Sequence, residues 1–163
     1  MKNISIAAFS DADRRGVLNV ILPIQQAEFG IPVTEADQPD LADIAAFYQS
    51  GTGGFWVARA HDEVVGTVGL KDIGSGQAAL RKMFVASPFR GREHGVAGRL
   101  LDALLAHART RGVTGIFLGT TDKFLAAHRF YEKKGFEELP KADLPRAFPV
   151  MAVDSKFYVL RLP

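Results

Sequence analysis

Cysteine is absent from the 163-residue chain, which removes disulfide scaffolds, thiolate metal sites, iron–sulfur clusters and thiol catalysis together. Charge of one sign is scarce too: 20 Lys and Arg against 18 Asp and Glu leave a net charge of +2. A protein that holds nucleic acid by neutralising phosphates carries a clear basic excess, so none is expected as a partner. No run of ~18 apolar residues occurs, and no membrane span is expected. The segment Met1 to Phe9 alternates polar and apolar residues and lacks the apolar stretch and cleavage site of a secretory signal. A cytoplasmic protein is the resulting expectation. The four histidines are scattered, with no close pair on a helix face, so no metal site is expected. Without internal repeats, low-complexity tracts or linkers, the chain reads as one domain over residues 1–163.

What is present is an ample apolar inventory, 47% of all residues, at a length where folding buries roughly 68 to 70% of the chain's surface. Ile4, Ile6 and Ala8 alternate as a strand, and Ser10 and Asp11 then open a helix running to about Phe29. Pro32 and Pro39 break the pattern before Leu41, Ile44, Ala45 and Tyr48 recur at helical spacing. Phe55 to Ala60 and Val64 to Leu70 flank a tight turn at Asp62 and Glu63, a hairpin signature, and Ala78 to Val85 supplies a third strand. Val96, Leu100, Leu101, Leu104, Leu105 and Ala108 then mark a helix ended by Gly112. Val113 to Leu118 reads as a buried strand, Asp122 to Lys134 as a helix stopped by Gly135, and Phe136 to Leu139 with Phe157 to Leu162 as the last strands. The fold class is α/β, a mixed and mainly antiparallel sheet with helices on both faces.

Between the third strand and the strongest helix lies Val85-Ala-Ser-Pro-Phe-Arg-Gly-Arg-Glu-His-Gly-Val-Ala-Gly. A loop feeding a helix N-terminus presents unpaired N–H groups and the positive end of the helix dipole, a place for phosphate. Gly91, Gly95 and Gly98 admit a ligand close to backbone, and Arg90 and Arg92 add bidentate donors. On pattern alone a charged surface loop fits equally. Neither a Walker loop nor a Rossmann fingerprint matches this glycine spacing.

Arg92-Glu-His-Gly95-Val-Ala97 resembles the acetyl-CoA pyrophosphate loop of the GNAT superfamily of N-acetyltransferases, written Arg/Gln-x-x-Gly-x-Gly/Ala. Met83-Phe-Val-Ala-Ser-Pro-Phe-Arg-Gly before it resembles that family's strand and entry loop, and Ala127-His-Arg-Phe-Tyr131-Glu-Lys-Lys-Gly135-Phe136 its later helix and strand. The resemblance covers Ala78 to Phe136 well and the first half by element order. It implies splayed central strands that bind acetyl-CoA as cosubstrate. Backbone of Met83, Phe84 and Val85 would pair with the pantetheine amides, while Arg90, Gly91, Arg92, Glu93, His94, Gly95, Val96, Ala97 and Gly98 would hold the pyrophosphate. Met83, Phe84 and Val85 would pack in a core in any such strand.

The resemblance also implies a role for Tyr131. An amine attacking an acetyl thioester must expel a thiolate, and a phenol at the sulfur can protonate it; its pKa of about 10 lies near the ~8.5 of a thiol. Taken alone, Tyr131 reads as a core aromatic of an amphipathic helix. Phe124 departs from the family, many members of which carry a cofactor-contacting Asn seven residues before the tyrosine. No carboxylate stands on the strand Ala78 to Val85, where the family often places a basic Glu. Glu28, Asp40, Asp72, His61, His94 and a water relay remain as proton acceptors. Phe29, Glu28, Tyr48 and Trp56 are expected to line the acceptor side. The expected activity is acetyl transfer to a primary amine of a small molecule or a peptide, small molecules being favoured, without an acyl-enzyme. A homodimer is compatible with the sequence. The alternative is an acyl-CoA-binding or regulatory module that has lost turnover.

Overall fold

The computed structural model of the chain describes residues 3–91, 93–122 and 124–163. These residues form a seven-stranded sheet in the order β1-β2-β3-β4-β5-β7-β6. The strands are β1 (Ile4–Ala8), β2 (Gly54–Ala60), β3 (Glu63–Gly74), β4 (Gln77–Val85), β5 (Gly115–Thr120), β6 (Glu137–Leu139) and β7 (Lys156–Arg161). All neighbours are antiparallel except β4 and β5, which run parallel. The class is the mixed α/β sheet that the residue pattern suggests. Among the described residues no helix is long and apolar enough to cross a membrane.

Helices cover both faces. On one, α1 (Arg14–Pro23) buries Val17, Leu18, Val20 and Ile21, and the short α2 (Ile44–Tyr48) buries Ile44 and Tyr48. On the other, α3 (Val96–Thr110) buries Val96, Leu100, Leu101, Leu104 and Ala108, each at most 1% exposed, the one-sided stripe that 3.6-residue periodicity demands. Beside it, α4 (Leu125–Lys133) brings Tyr131 into the same core.

Several boundaries differ from the sequence reading, and three of them have a traceable reason. The helix entered from Ser10 widens after Pro23 into a π turn over Ile24–Glu28, closed by the Phe29 N–H to Ile24 O bond of 3.1 Å. Proline has no N–H to continue the α ladder, and π turns frequently mark functional positions. β5 starts at Gly115, because Val113 N donates to Ala108 O and Thr114 N to Gly76 O before the strand pairs. α4 starts at Leu125 and not Asp122: the Asp122 N–H is taken by Ser155 Oγ, and Thr121 O accepts both Phe124 N and a ring nitrogen of the buried His128.

Candidate active site

The parallel ladder between β4 and β5 is short, pairing Gln77, Ala78 and Ala79 with Gly115, Ile116 and Phe117. Beyond it β4 stays bonded to β3 as far as Val85, and β5 to β7 as far as Thr120, so the two central strands part and leave a gap. Met83, Phe84 and Val85 lie on the β4 side of that gap. Their side chains pack in the cores, Met83 and Val85 toward α3 and α4 and Phe84 toward α1, while the strand's gap-facing backbone groups have no ladder partner across it.

At its end β4 enters a 3-10 turn over Ser87–Phe89, and Gly91 follows at φ 104°. His94 N and Gly95 N both turn back to Gly91 O. Gly95 is the N-cap of α3 in the left-handed region (φ 60°, ψ 23°), which glycine adopts without the Cβ penalty. Helix geometry then leaves the N–H groups of Val96, Ala97 and Gly98 without intrahelical acceptors at the positive end of the dipole. Val96 is buried and anchors the turn; Ala97 and Gly98 are half-buried, Glu93 is exposed, and the His94 ring lies 5.9 Å from that of Phe89. Arg92 lies outside the described residues. Lys134, which sequence reasoning passed over, puts its exposed ammonium beside Gly98: a Cβ added there would stand 3.5 Å from Lys134 Nζ. Donors and charge at this helix end suit a pyrophosphate.

Arg90 sits differently from the other loop residues. Its guanidinium forks onto both Glu28 carboxylate oxygens, with Nη2 to Oε2 at 2.6 Å, and Nε donates to Val85 O at 2.8 Å. The Arg90 hydrogen bonds hold the Glu28 carboxyl below its ordinary range. The π turn places Glu28 for this bond, and Arg90 thereby ties α1 to the exit of β4.

Tyr131 is 6% exposed and packs among Phe130, Phe136 and Tyr158, with ring centroids 5.5 to 6.1 Å away. Its hydroxyl makes no hydrogen bond among the described residues, yet it is not a sealed, unpartnered polar atom. Burial pushes the phenol well above its usual pKa, which keeps it protonated at neutral pH. Phe124, at the N-cap of α4, sets its ring edge-on to Phe29 at 4.5 Å and joins α4 to the helix of the opposite face.

That opposite face holds most of the charge. A bulge in β4 sets Lys82 and Met83 against the single residue Val68, with Lys82 at φ 57° and its carbonyl accepting from Thr67 Oγ1 at 2.7 Å. Leu80 and Met83 therefore both face α3, and Arg81 and Lys82 both emerge toward α1 and α2. Lys82 Nζ is buried, 2.5 Å from Gln38 Oε1 and 3.7 Å from Asp40 Oδ2. Burial lowers its pKa, and Asp40 opposes the shift. The Tyr48 hydroxyl donates to the same Asp40 at 2.6 Å, and Gln25 and Gln38 exchange amide hydrogen bonds behind it.

Of the proton acceptors considered from sequence, Asp40 is engaged by Tyr48 and Lys82, Glu28 by Arg90, and Asp72 by the N–H groups of Gly74 and Thr52. His61 forms the β2–β3 turn at φ 57°, and His94 lies in the loop. Trp56 faces α3, its ring 5.1 Å from His107, and so does not line the α1 side as expected; two-residue alternation along β2 decides this. The missed carboxylate is Asp154, between β6 and β7. Its Oδ2 accepts from Met151 N at 2.8 Å and lies over Gly119 of β5, where an added Cβ would meet it at 2.6 Å. Burial raises its pKa, offset in part by the Met151 N–H and by Arg81 and Lys82. In sequence it is one acidic residue in a loop, with only Gly119 as a distant hint. A concavity of about 770 Å³ lined by Asp13, Gly16, His61 and Phe89 contains His61 alone of these groups.

Residues 18–136 match the acetyltransferase (GNAT) family, and the chain belongs to it. A solved acetyltransferase of the GNAT family from Staphylococcus aureus Mu50 is 37% identical and superposes with a TM-score of 0.94, covering 99% of this chain and 100% of that one. N-acetylaspartate synthetase of Danio rerio is 37% identical over 106 residues, 64% of this chain and 37% of its own length. N-acetyltransferase 8B of Rattus norvegicus is 36% identical over 110 residues, 65% of this chain and 50% of its own length. The chain thus spans half or less of the length of these two curated relatives.

Proposed function

We propose that residues 1–163 act as a single cytoplasmic domain that moves the acetyl group of acetyl-CoA to a primary amine, a small molecule in preference to a peptide, by direct attack. The observation that carries this is the β4–β5 gap opening beside the uncapped N-terminus of α3. A thioester arm lying along β4 would find backbone partners at Met83 to Val85, and its pyrophosphate the amides of Val96 to Gly98. The left-handed Gly95 and the nearby Lys134 support that fit. Gly91, Glu93 and His94 shape the loop, and Arg90 steadies it from the side of Glu28.

Tyr131 is the general acid in this reading. Its support is position: it is buried on the α3 and α4 face, kept protonated, with a hydroxyl that makes no hydrogen bond among the described residues. The deciding experiment measures melting with and without millimolar acetyl-CoA, then thiol release against a panel of amines. A ligand at 100 times its dissociation constant adds about 2.7 kcal/mol. Melting unchanged by acetyl-CoA would sink the reading; stabilisation without turnover of any amine would favour the non-catalytic module.

A further inference from the structure

Two oppositely charged side chains on the α1 and α2 face, Arg81 and Asp154, join no ion pair among the described residues, although Arg81 and Lys82 lie close enough to Asp154 to offset part of its raised pKa. Arg81 lies against Met151 Sδ at 3.5 Å and stands over the Phe47 ring at 5.5 Å; among the described residues it joins no ion pair. Among the described residues Asp154 accepts a single side-chain hydrogen bond, from Met151 N through Oδ2. Neighbouring charges are already satisfied: Lys82 by Asp40 and Gln38, Asp40 also by Tyr48, and Lys71 by Phe47 O at 3.1 Å and the Phe47 ring at 4.5 Å. Arg81 and Asp154 also form no ion pair with each other, although they flank the same gap, one from β4 and one over Gly119 of β5. Two-residue alternation from Ala79 puts Arg81 on this face, the β4 bulge adds Lys82 beside it, and the bare Gly119 leaves room for the carboxylate.

We infer that the acceptor is a small amine that itself carries a carboxylate, as a free amino acid does, with its carboxylate on Arg81 and its amine at Asp154. This rests on the acetyltransferase reading and specifies its second substrate. A planar guanidinium over an aromatic ring is suited to bidentate capture of a carboxylate. A polyamine would meet Arg81, Lys82 and Lys71 on the same wall and be repelled.

The step balances as follows. The ammonium of the amino acid gives one proton to Asp154, and the free amine forms the N–C bond to the acetyl carbon. The C–S bond breaks, Tyr131 protonates the departing thiolate, and the nitrogen loses its second proton to water. Tyr131 is reprotonated from solvent and Asp154 releases its proton there, so amine cation and thioester yield amide, thiol and one net proton.

The test is thiol release from acetyl-CoA with free L-amino acids, their α-amides, the amines left when the carboxylate is removed, and spermidine. At least one amino acid is expected to exceed its amide and its decarboxylated amine about 100-fold in kcat/KM, the scale of a charge-assisted bidentate contact. In Arg81→Ala that preference should collapse toward one, chiefly through KM, and Arg81→Lys should recover only part of it. Amides or spermidine turned over as well as the acids would overturn the inference. So would the absence of both turnover and calorimetric binding of every amino acid to a protein that acetyl-CoA demonstrably stabilises. Failure of acetyl-CoA itself to bind would instead strike the acetyltransferase reading beneath it.

Discussion

On the side of α3 and α4, the gap between β4 and β5 is bordered by apolar side chains and main-chain donors; on the side of α1 and α2 it is bordered by Arg81, Lys82, Asp40 and Asp154. The first side can hold one invariant ligand by backbone alone, because N–H groups are present whatever the side chains are. The second must discriminate among ligands, and only side chains can do so. In the proposed reading the two substrates thus meet different materials: a main-chain cradle for the cosubstrate, an electrostatic pocket for the acceptor.

The largest effect should come from the phenol. Tyr131→Phe keeps the ring in its cluster and removes the proposed proton donor, so turnover of any accepted amine should fall by roughly 10² to 10⁴ while acetyl-CoA affinity and melting barely change. Steady-state kinetics and melting, run together, separate this from a packing role, which would leave turnover intact.

Next comes the main-chain cradle. Gly95→Asp puts a negative charge beside the phosphate position, a repulsion of about 4 kcal/mol for unit charges ~4 Å apart at an effective dielectric near 20. Acetyl-CoA affinity should drop about a thousandfold by calorimetry, while the left-handed position, which Asp tolerates better than most residues, keeps the fold. Unaltered affinity in the folded variant would move the pyrophosphate elsewhere and erase the contrast between the two sides.

The acceptor side is broken more cheaply through stability. Lys82→Met leaves Asp40 buried with only the Tyr48 hydroxyl, and loss of one partner of a buried pair costs about 3 kcal/mol. For a chain of this size that lowers the melting temperature by roughly 6 to 12 °C. Adding Asp40→Asn should cost less than the sum of the two changes, since the charge left stranded is then gone. Strict additivity would show that the pair is not coupled.

The smallest expected effect has the opposite sign. Burial raises the pKa of Asp154 in the folded state above its unfolded value. Its contribution therefore favours folding below the unfolded value and is lost as pH rises through the folded one. At neutral pH the charged carboxylate opposes folding, so Asp154→Asn should melt slightly higher than the parent, with the gain vanishing as pH falls below about 4. Acceptor turnover should fall in the same variant. Gain of stability with loss of activity is a signature that a purely structural aspartate would not give.

How much of this was legible before the structure follows the same division. The hairpin of β2 and β3, the apolar stripe of α3 and the loop before it were readable because each depends on residues within a turn or two: alternation, 3.6-residue spacing, and glycines where φ is positive at Gly91 and Gly95. Tyr131 was singled out by family resemblance, since periodicity by itself describes a core aromatic. The proposed acceptor wall was not legible. Lys82 faces Asp40 across 42 positions of chain, and Arg90 meets Glu28 at a separation of 62. Arg90 was read as one more phosphate ligand, and its pairing with the Glu28 carboxylate across the π turn after Pro23 was not visible in sequence. Asp154 acquired its place only when the β6–β7 connection folded over Gly119.

Sequence alone thus determined the helix N-terminus and its glycines, because backbone conformation and dipole are properties of a few consecutive residues. Only the tertiary structure decided which charges are spent on one another and which stay open to a substrate. That depends on distances between segments far apart in the chain, and on a one-residue bulge in β4 that no local pattern reveals, since adding a residue to a strand reverses the face of everything beyond it.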